Sequence, residues 1–178
     1  NAEGGAGTET LRNAIAHSVN CAFARLIAAV GVDITAEMAT RLGIAHDVPE
    51  YPSITLGTDE ATPLEMTTVY NTLSTGGIRH DPVFVSKVEG INGEVIFEQK
   101  YSGTRVLNEN VSLTTVDMLR NVITGGTGTG ARVPGHDAVG KTGTTENYGD
   151  AWFCGMTMQY TACVWMGDPA ARTPMRSV

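Results

Sequence analysis

The stretch GHDAVGKTGT contains a lysine whose surroundings fit two kinds of chemistry. Gly135, Gly140, Lys141 and Thr142 match G-x-x-x-x-G-K-S/T, the pattern of loops that wrap the phosphates of a nucleotide. If the same residues form a strand, alternate side chains project to opposite faces, and Lys141 shares its face with Gly143. A glycine in such a strand permits close approach by a peptide or ligand. One lysine cannot serve both structures.

The residues around Lys141 argue against a phosphate-binding loop. Such a loop leads from a buried strand directly into a helix whose first N–H groups point at the anion. The upstream sequence TGGTGTGARVP is not a buried strand, and Gly143 and Gly149 occupy the positions of the first helical turns. A dinucleotide-type pattern, GTGTGA, follows a predicted helix rather than a strand and is better explained as a flexible loop. We therefore expect no nucleotide and no cofactor.

Composition and charge exclude further classes of partner. A net charge of -7 with 12 Lys and Arg against 19 Asp and Glu argues against nucleic acid, whose binding depends on clustered cations. Three cysteines and four histidines lack metal-ligand spacing, so no metal is expected. No apolar run approaches the roughly 20 residues that span a bilayer. Asn1-Ala2 is interpreted as a vector remnant.

The first half of the chain is predicted to be helical. Apolar residues three or four apart predict one helix over 11–30. A second helix is expected to follow Asp33 as its N-cap and to stop at Gly43. A third begins at Thr62, where the spacing to Glu65 predicts a capping box.

Strands are predicted in the second half. Two β-rich runs around Asn92-Gly93 predict a hairpin, and the apolar spacing over 113–123 predicts a helix before a glycine-rich segment. Three further strands are predicted at 138–144, DAWFCG and TACVWMG. The fold class is therefore α+β.

The last two strands are predicted to pair. A turn centred in TMQY places Trp152 opposite Trp165 and Cys154 opposite Cys163. The sequence leaves open whether the two cysteines form a disulfide outside the cytoplasm. The poor turn sequence and the strict geometry of disulfides weigh against one.

The Lys141-Thr142-Gly143 triplet is uninformative alone but becomes informative together with Ser18-Val19-Asn20, an S-x-N triplet in the first helical region. With both, the chain resembles the transpeptidase domain of penicillin-binding proteins, especially the bifunctional high-molecular-weight class. The resemblance runs from LRNAIAHSVN through GTDEATPLEMTTVYNTLSTGG to GKTGTTENYGDAWFCG. It implies an antiparallel sheet flanked by helices, in the α/β sandwich arrangement of penicillin-binding proteins and β-lactamases.

The resemblance also assigns roles to six residues. It implies catalytic roles for Ser18, Asn20 and Lys141, and substrate-binding roles for Thr142, Gly143 and Thr144. Ser18 would relay protons because a hydroxyl both donates and accepts hydrogen bonds, and the Asn20 amide would bind the substrate's peptide group. Lys141 would hold Ser18 and attract a terminal carboxylate, while the Thr144 N–H would contribute to an oxyanion hole.

One family motif is missing. The acylating serine of the family lies in S-x-x-K, but the residues three before the three lysines are Phe84, Phe97 and Ala138. We therefore interpret residues 1–178 as the C-terminal portion of a transpeptidase domain, incomplete at its N-terminal side. Without a nucleophile this portion should be inactive alone, and its unpaired sheet edge should favour self-association.

The resemblance implies a cellular role for the parent protein. It would cross-link peptidoglycan stem peptides outside the cytoplasmic membrane, to which it would be anchored, and β-lactams would bind it. An upstream glycosyltransferase domain is also implied. A non-catalytic β-lactam-sensing or scaffolding domain of the same fold, and a β-lactamase, are alternatives that the sequence leaves open.

Overall fold

The computed structural model describes residues 8–171 and 173–176, and Asn1-Ala2, the predicted vector remnant, lies outside them. The helices are α1 Leu11–His17, α2 Asn20–Val30, α3 Val32–Leu42, α4 Pro63–Ser74 and α5 Glu109–Gly125. The strands are β1 Ile78–Arg79, β2 Lys87–Glu89, β3 Val95–Glu98, β4 Thr104–Arg105, β5 Val139–Thr144, β6 Asp150–Met156 and β7 Thr161–Gly167. Short 3-10 turns lie at Pro52–Leu56, Thr129–Ala131 and Glu146–Tyr148. The predicted α+β class is confirmed.

The largest sheet is antiparallel, in the order β5-β6-β7, and helices α4 and α5 pack on one of its faces. The core between helices and sheet contains Tyr70, Leu73, Leu119, Val122, Val139, Cys154 and Met156. Ser112, fully buried on α5, donates a 2.7 Å hydrogen bond to the Leu73 carbonyl of α4, so the two helices are also joined by a polar contact. On the opposite face of the sheet, Val164 and Met166 remain 62% and 56% exposed.

The predicted β6–β7 register is confirmed, with Trp152 opposite Trp165 and Cys154 opposite Cys163. The two cysteines form a disulfide between Cα atoms 4.1 Å apart, which resolves the question that the sequence left open. The turn is held by Thr157, whose Oγ1 accepts hydrogen bonds from the backbone N–H groups of Gln159 and Tyr160. The threonine side chain thus compensates for Met-Gln, the poor turn sequence that weighed against the bond.

The predicted helix starts are partly right. Thr62 and Glu65 form the complete capping box expected at the start of α4. Asp33 is not an N-cap, since α3 begins one residue earlier and Gly31, at φ 107°, takes that position. The expectation of one helix over 11–30 is also wrong, because the helix is interrupted at Ser18 and Val19, between α1 and α2.

The β2–β3 hairpin is confirmed around a turn in which Gly93 adopts φ 83° and its N–H donates to the Gly90 carbonyl. Asn92 keeps a negative φ, so the turn is a three-residue loop with one left-handed glycine. Among the residues described, none belongs to a helix both long and apolar enough to span a membrane.

Candidate active site

The break between α1 and α2 places Ser18 at the end of a helix in the left-handed conformation, φ 55° and ψ 50°. For a residue with a Cβ this conformation costs about 1 to 3 kcal/mol. It is held by Val19 N–H, which donates to the Ala14 carbonyl at 2.9 Å and closes α1. The apolar periodicity continues across this break, which explains why the sequence predicted an uninterrupted helix.

The second half of the site is strand β5, which carries Lys141. It pairs with β6 through Val139–Thr144, and Lys141 lies opposite Cys154. Because the strand runs two residues beyond Thr142 and is followed only by the short 3-10 turn Glu146–Tyr148, the stretch does not have the strand-to-helix geometry of a phosphate-binding loop. The strand interpretation of GKTGT is therefore confirmed.

Lys141 meets Ser18 across the space between β5 and α1. The ammonium Nζ donates hydrogen bonds of 3.0 Å to Ser18 Oγ and 3.0 Å to the carbonyl of Thr142. An ammonium has three donors, so one remains for a ligand. In the part of the chain that the structure describes, no carboxylate pairs with Nζ. The contact leaves a cation that can still bind an anion.

Burial of Lys141 lowers its pKa below 10.5 because desolvation disfavours the charged form. The same desolvation strengthens the attraction of this ammonium for a ligand carboxylate, since the local dielectric constant is lower than that of water.

Thr142 contacts Thr127, a residue that the sequence analysis did not single out, through the hydroxyl groups of both side chains. The two hydroxyl oxygens lie 2.6 Å apart, and the Thr127 N–H donates at 3.0 Å to the carbonyl of Ala16 in α1. A Cβ on Gly126 would approach that carbonyl oxygen to 2.1 Å, so only glycine permits this contact. The glycine-rich segment after α5 was the available signal, and it was interpreted as a flexible loop.

All six predicted site residues line one open cleft of about 800 Å³, namely Ser18, Asn20, Lys141, Thr142, Gly143 and Thr144. Asn20 opens α2, is exposed, and makes no side-chain hydrogen bond within the described residues, so its amide is free for a ligand. The facing wall is formed by the segment between α3 and α4, including Ile54, Leu56 and Asp59. The cleft has room for an extended peptide along β5.

These features define a class of proteins. An antiparallel sheet backed by helices, with a K-T-G strand facing an S-x-N turn across a cleft, is the arrangement of the penicillin-recognising α+β domains. The family model described as penicillin binding protein transpeptidase domain matches residues 1–167. The chain belongs to this family.

Individual relatives agree with this assignment. The chain is 38% identical over 161 residues to penicillin-binding protein 1A of Aquifex aeolicus (strain VF5), an alignment covering 90% of this chain and 22% of the relative. It is 33% identical over 170 residues to penicillin-binding protein 1F of Bacillus subtilis (strain 168), covering 90% of this chain and 23% of that protein. The chain thus spans less than a quarter of these relatives.

Solved structures share the fold over almost the whole chain. PonA1 from Mycobacterium tuberculosis superimposes with a TM-score of 0.88 at 28% identity, over 98% of this chain and 51% of that one. The same protein in complex with penicillin V gives a TM-score of 0.87 at 28% identity, over 97% and 51% of the two chains. Penicillin-binding protein 1A from Haemophilus influenzae shares the fold with a TM-score of 0.82 at 23% identity, over 89% and 30%.

Proposed function

We propose that residues 1–178 are the C-terminal portion of a serine-type D,D-transpeptidase domain that cross-links peptidoglycan stem peptides. The observation that carries this proposal is the hydrogen bond between Lys141 Nζ and Ser18 Oγ at 3.0 Å, within a cleft that also contains Asn20 and β5. This pair joins a partly buried cation to a hydroxyl that can accept and donate a proton.

Lys141 has two roles in this proposal. Its ammonium attracts the C-terminal carboxylate of the donor stem peptide, or the carboxylate of a β-lactam, through the donor left unused by Ser18 and Thr142. It also orients the Ser18 hydroxyl, so that one Oγ lone pair accepts from Nζ and the hydroxyl proton points towards the reacting groups.

Ser18 moves a proton during both halves of the reaction. When the acylating serine attacks the carbonyl carbon, its proton passes to the lysine of S-x-x-K as the C–N bond breaks, while Ser18 delivers a proton to the departing D-alanine amine and regains one from that lysine. When the amine of a second stem peptide attacks the ester, Ser18 accepts the proton that this amine loses and passes one to the same lysine, which protonates the serine oxygen as the C–O bond breaks. The relay therefore returns to its starting state after each cross-link.

The other residues bind the substrate in this proposal. Asn20 presents a carbonyl and an NH2 that together pair with a peptide group, and Gly143 leaves the strand open to close approach. The Thr144 N–H is one donor to the carbonyl oxygen as it becomes an oxyanion, an interaction worth about 3 to 4 kcal/mol in the transition state. Thr142 lies beside the carboxylate subsite, oriented by Thr127.

The nucleophile is supplied by a part of the parent protein outside residues 1–178, since the chain contains no S-x-x-K. The 178-residue portion alone is therefore inactive. It self-associates through the edge of β7 that pairs with no other strand in the described residues, next to the exposed Val164 and Met166. The parent protein is membrane-anchored, acts on the outer face of the cytoplasmic membrane, and binds β-lactams.

Penicillin labelling of the parent protein tests this function. A fluorescent penicillin should acylate the parent at a serine of an S-x-x-K sequence, identified by peptide mapping, and should leave residues 1–178 alone unlabelled. A covalent adduct mapped to any residue within 1–178 would contradict the proposal. Binding without acylation would favour a β-lactam-sensing or scaffolding domain of the same fold.

A further inference from the structure

The wall of the cleft opposite β5 is a long connection with little regular structure. Residues 45–61 make up most of the connection between α3, which ends at Leu42, and α4, which begins at Pro63. They contain a single 3-10 turn, Pro52–Leu56, which packs against α2. In the described residues, every backbone N–H of this segment that donates to a backbone carbonyl donates to a carbonyl of the same segment. Its attachment to the rest of the protein therefore depends on packing and on side chains.

His46 connects the two ends of this wall. Its Nε2 lies 2.7 Å from Asp59 Oδ2, and its Nδ1 lies 3.2 Å from Glu65 Oε1 at the start of α4. Asp59 and Glu65 are 13 and 19 residues away in the chain, and Asp59 lines the cleft. The imidazole thus closes a loop that includes the 3-10 turn and fastens it to a helix.

The geometry requires a particular charge state of His46. An ionised carboxylate only accepts hydrogen bonds, so both ring nitrogens must carry a proton to satisfy both partners. Glu65 is ionised, because N–H groups of Thr62 and Ala45 lower its pKa to about 2. A neutral imidazole has one N–H and would leave one carboxylate facing a lone pair.

We infer that His46, by bridging Asp59 and Glu65, is a positioning residue that fixes the cleft wall, in particular its residues 52–61, for ligand binding. The inference rests on the proposed function, in that the bound ligand is taken to be a β-lactam or a stem peptide. His46 acts through the wall and touches no reacting atom. It is absent from both motifs, and the sequence analysis considered it only as one of four histidines without metal-ligand spacing.

The bridge is expected to respond to pH. The hydrogen bonds to Asp59 and then to Glu65 raise the pKa of His46 above 6.5, against a smaller opposing effect of desolvation. A raised pKa means that the stabilisation is fully present below pH 6.5 and is lost as the pH rises through the higher value in the folded protein. Asp59 and Glu65 are the charged groups that contact this ring in the described residues.

The test compares His46→Gln with wild type in the parent protein, and measures acylation by a fluorescent penicillin between pH 5.5 and 9. Gln retains a donor but cannot form the doubly protonated bridge. We expect wild type to acylate about threefold to tenfold faster than the variant at low pH, the effect of one hydrogen bond, with the ratio falling towards one at high pH. His80→Gln changes an exposed histidine outside the cleft, so the ratio of the wild-type acylation rate to the rate of this control variant should stay at one over the whole pH range.

A second readout does not depend on acylation. Hydrogen–deuterium exchange of a peptide covering 52–61, corrected for intrinsic pH dependence, should be faster in His46→Gln than in wild type at pH 6 and similar at pH 9. Asp59→Asn should accelerate exchange in the same way. An acylation ratio that does not vary with pH, together with unchanged exchange, would overturn the inference while leaving the proposed function intact. If the wild-type parent is not acylated at all, the proposed function fails and the exchange data alone decide the role of His46.

Discussion

Ser18 and Lys141 are joined by a 3.0 Å hydrogen bond although 123 residues separate them in the chain. Helix α5 brings them together, since it packs against α1, which ends at Ser18, and against β5, which carries Lys141. The contact between the two side chains therefore depends on the core in which α5 is embedded, including the fully buried Val122.

Replacing Lys141 with Met tests the charge of the ammonium. The variant keeps an unbranched side chain of similar length but loses the charged hydrogen bonds, worth about 1.5 to 3 kcal/mol each. Acylation of the parent protein by penicillin should fall about 10-fold to 100-fold. Acylation by the carboxyl methyl ester of the same penicillin should fall much less, because the ester offers no anion.

Lys87→Met is the matched control for this experiment. Lys87 lies on the β2–β3 hairpin, where it pairs with Glu89, and it does not line the cleft. Its replacement should leave both acylation rates unchanged. Equal losses for acid and ester in Lys141→Met would show that the lysine does not recognise a carboxylate.

Two substitutions of Ser18 distinguish the effect of losing its hydroxyl on acylation from the effect of its backbone conformation on stability. Glycine adopts φ 55° without the strain that alanine retains, so Ser18→Gly should be about 1 kcal/mol more stable than Ser18→Ala in chemical denaturation. Both variants should lose acylation to a similar extent, because both lack the hydroxyl. Retained acylation in either variant would argue against a proton relay at this position.

Reduction of the Cys154–Cys163 disulfide should destabilise the β6–β7 hairpin. A crosslink between residues 9 apart is expected to contribute about 2 to 3 kcal/mol by restricting the unfolded chain. Denaturant unfolding with and without reductant measures this difference. Intact mass after alkylation under denaturing conditions should show one modified thiol before reduction, since Cys21 is free, and three afterwards. Three alkylations without reductant would contradict the bond.

The Thr127 hydroxyl is expected to contribute to the rate of acylation. Thr127→Val preserves shape but removes the 2.6 Å contact with Thr142, so acylation should fall about threefold to tenfold, the effect of one neutral hydrogen bond. Thr127→Ser retains the hydroxyl and should stay within about twofold of wild type. If both variants behave alike, the contact has no part in holding the carboxylate subsite.

The elements that were predictable from the sequence have local causes. The capping box of α4 needs two side chains three residues apart, and the β6–β7 register follows from the position of one turn. The six site residues were found because two triplets occur together, although neither is informative by itself. The structure places all six along one cleft, and their roles remain proposals.

The features that the sequence did not disclose depend on tertiary contacts. The break at Ser18 is invisible in the apolar pattern, since large apolar residues continue at helical spacing from Leu11 to Val30, although only Ile27 among them is buried. Thr127 is positioned by a carbonyl of α1, and His46 by carboxylates 13 and 19 residues away. No spacing rule links such residues, so only the folded chain brings them together.

A double-mutant cycle on Ser18 and Lys141 tests the central relationship most directly. The rate of acylation by penicillin is measured for the parent protein, Ser18→Ala, Lys141→Met and the double variant. If the two side chains act together, the double variant should be about as slow as the slower single variant, a coupling of at least about tenfold in rate. Independent losses that multiply in the double variant would show that the hydrogen bond between Nζ and Oγ has no part in the reaction.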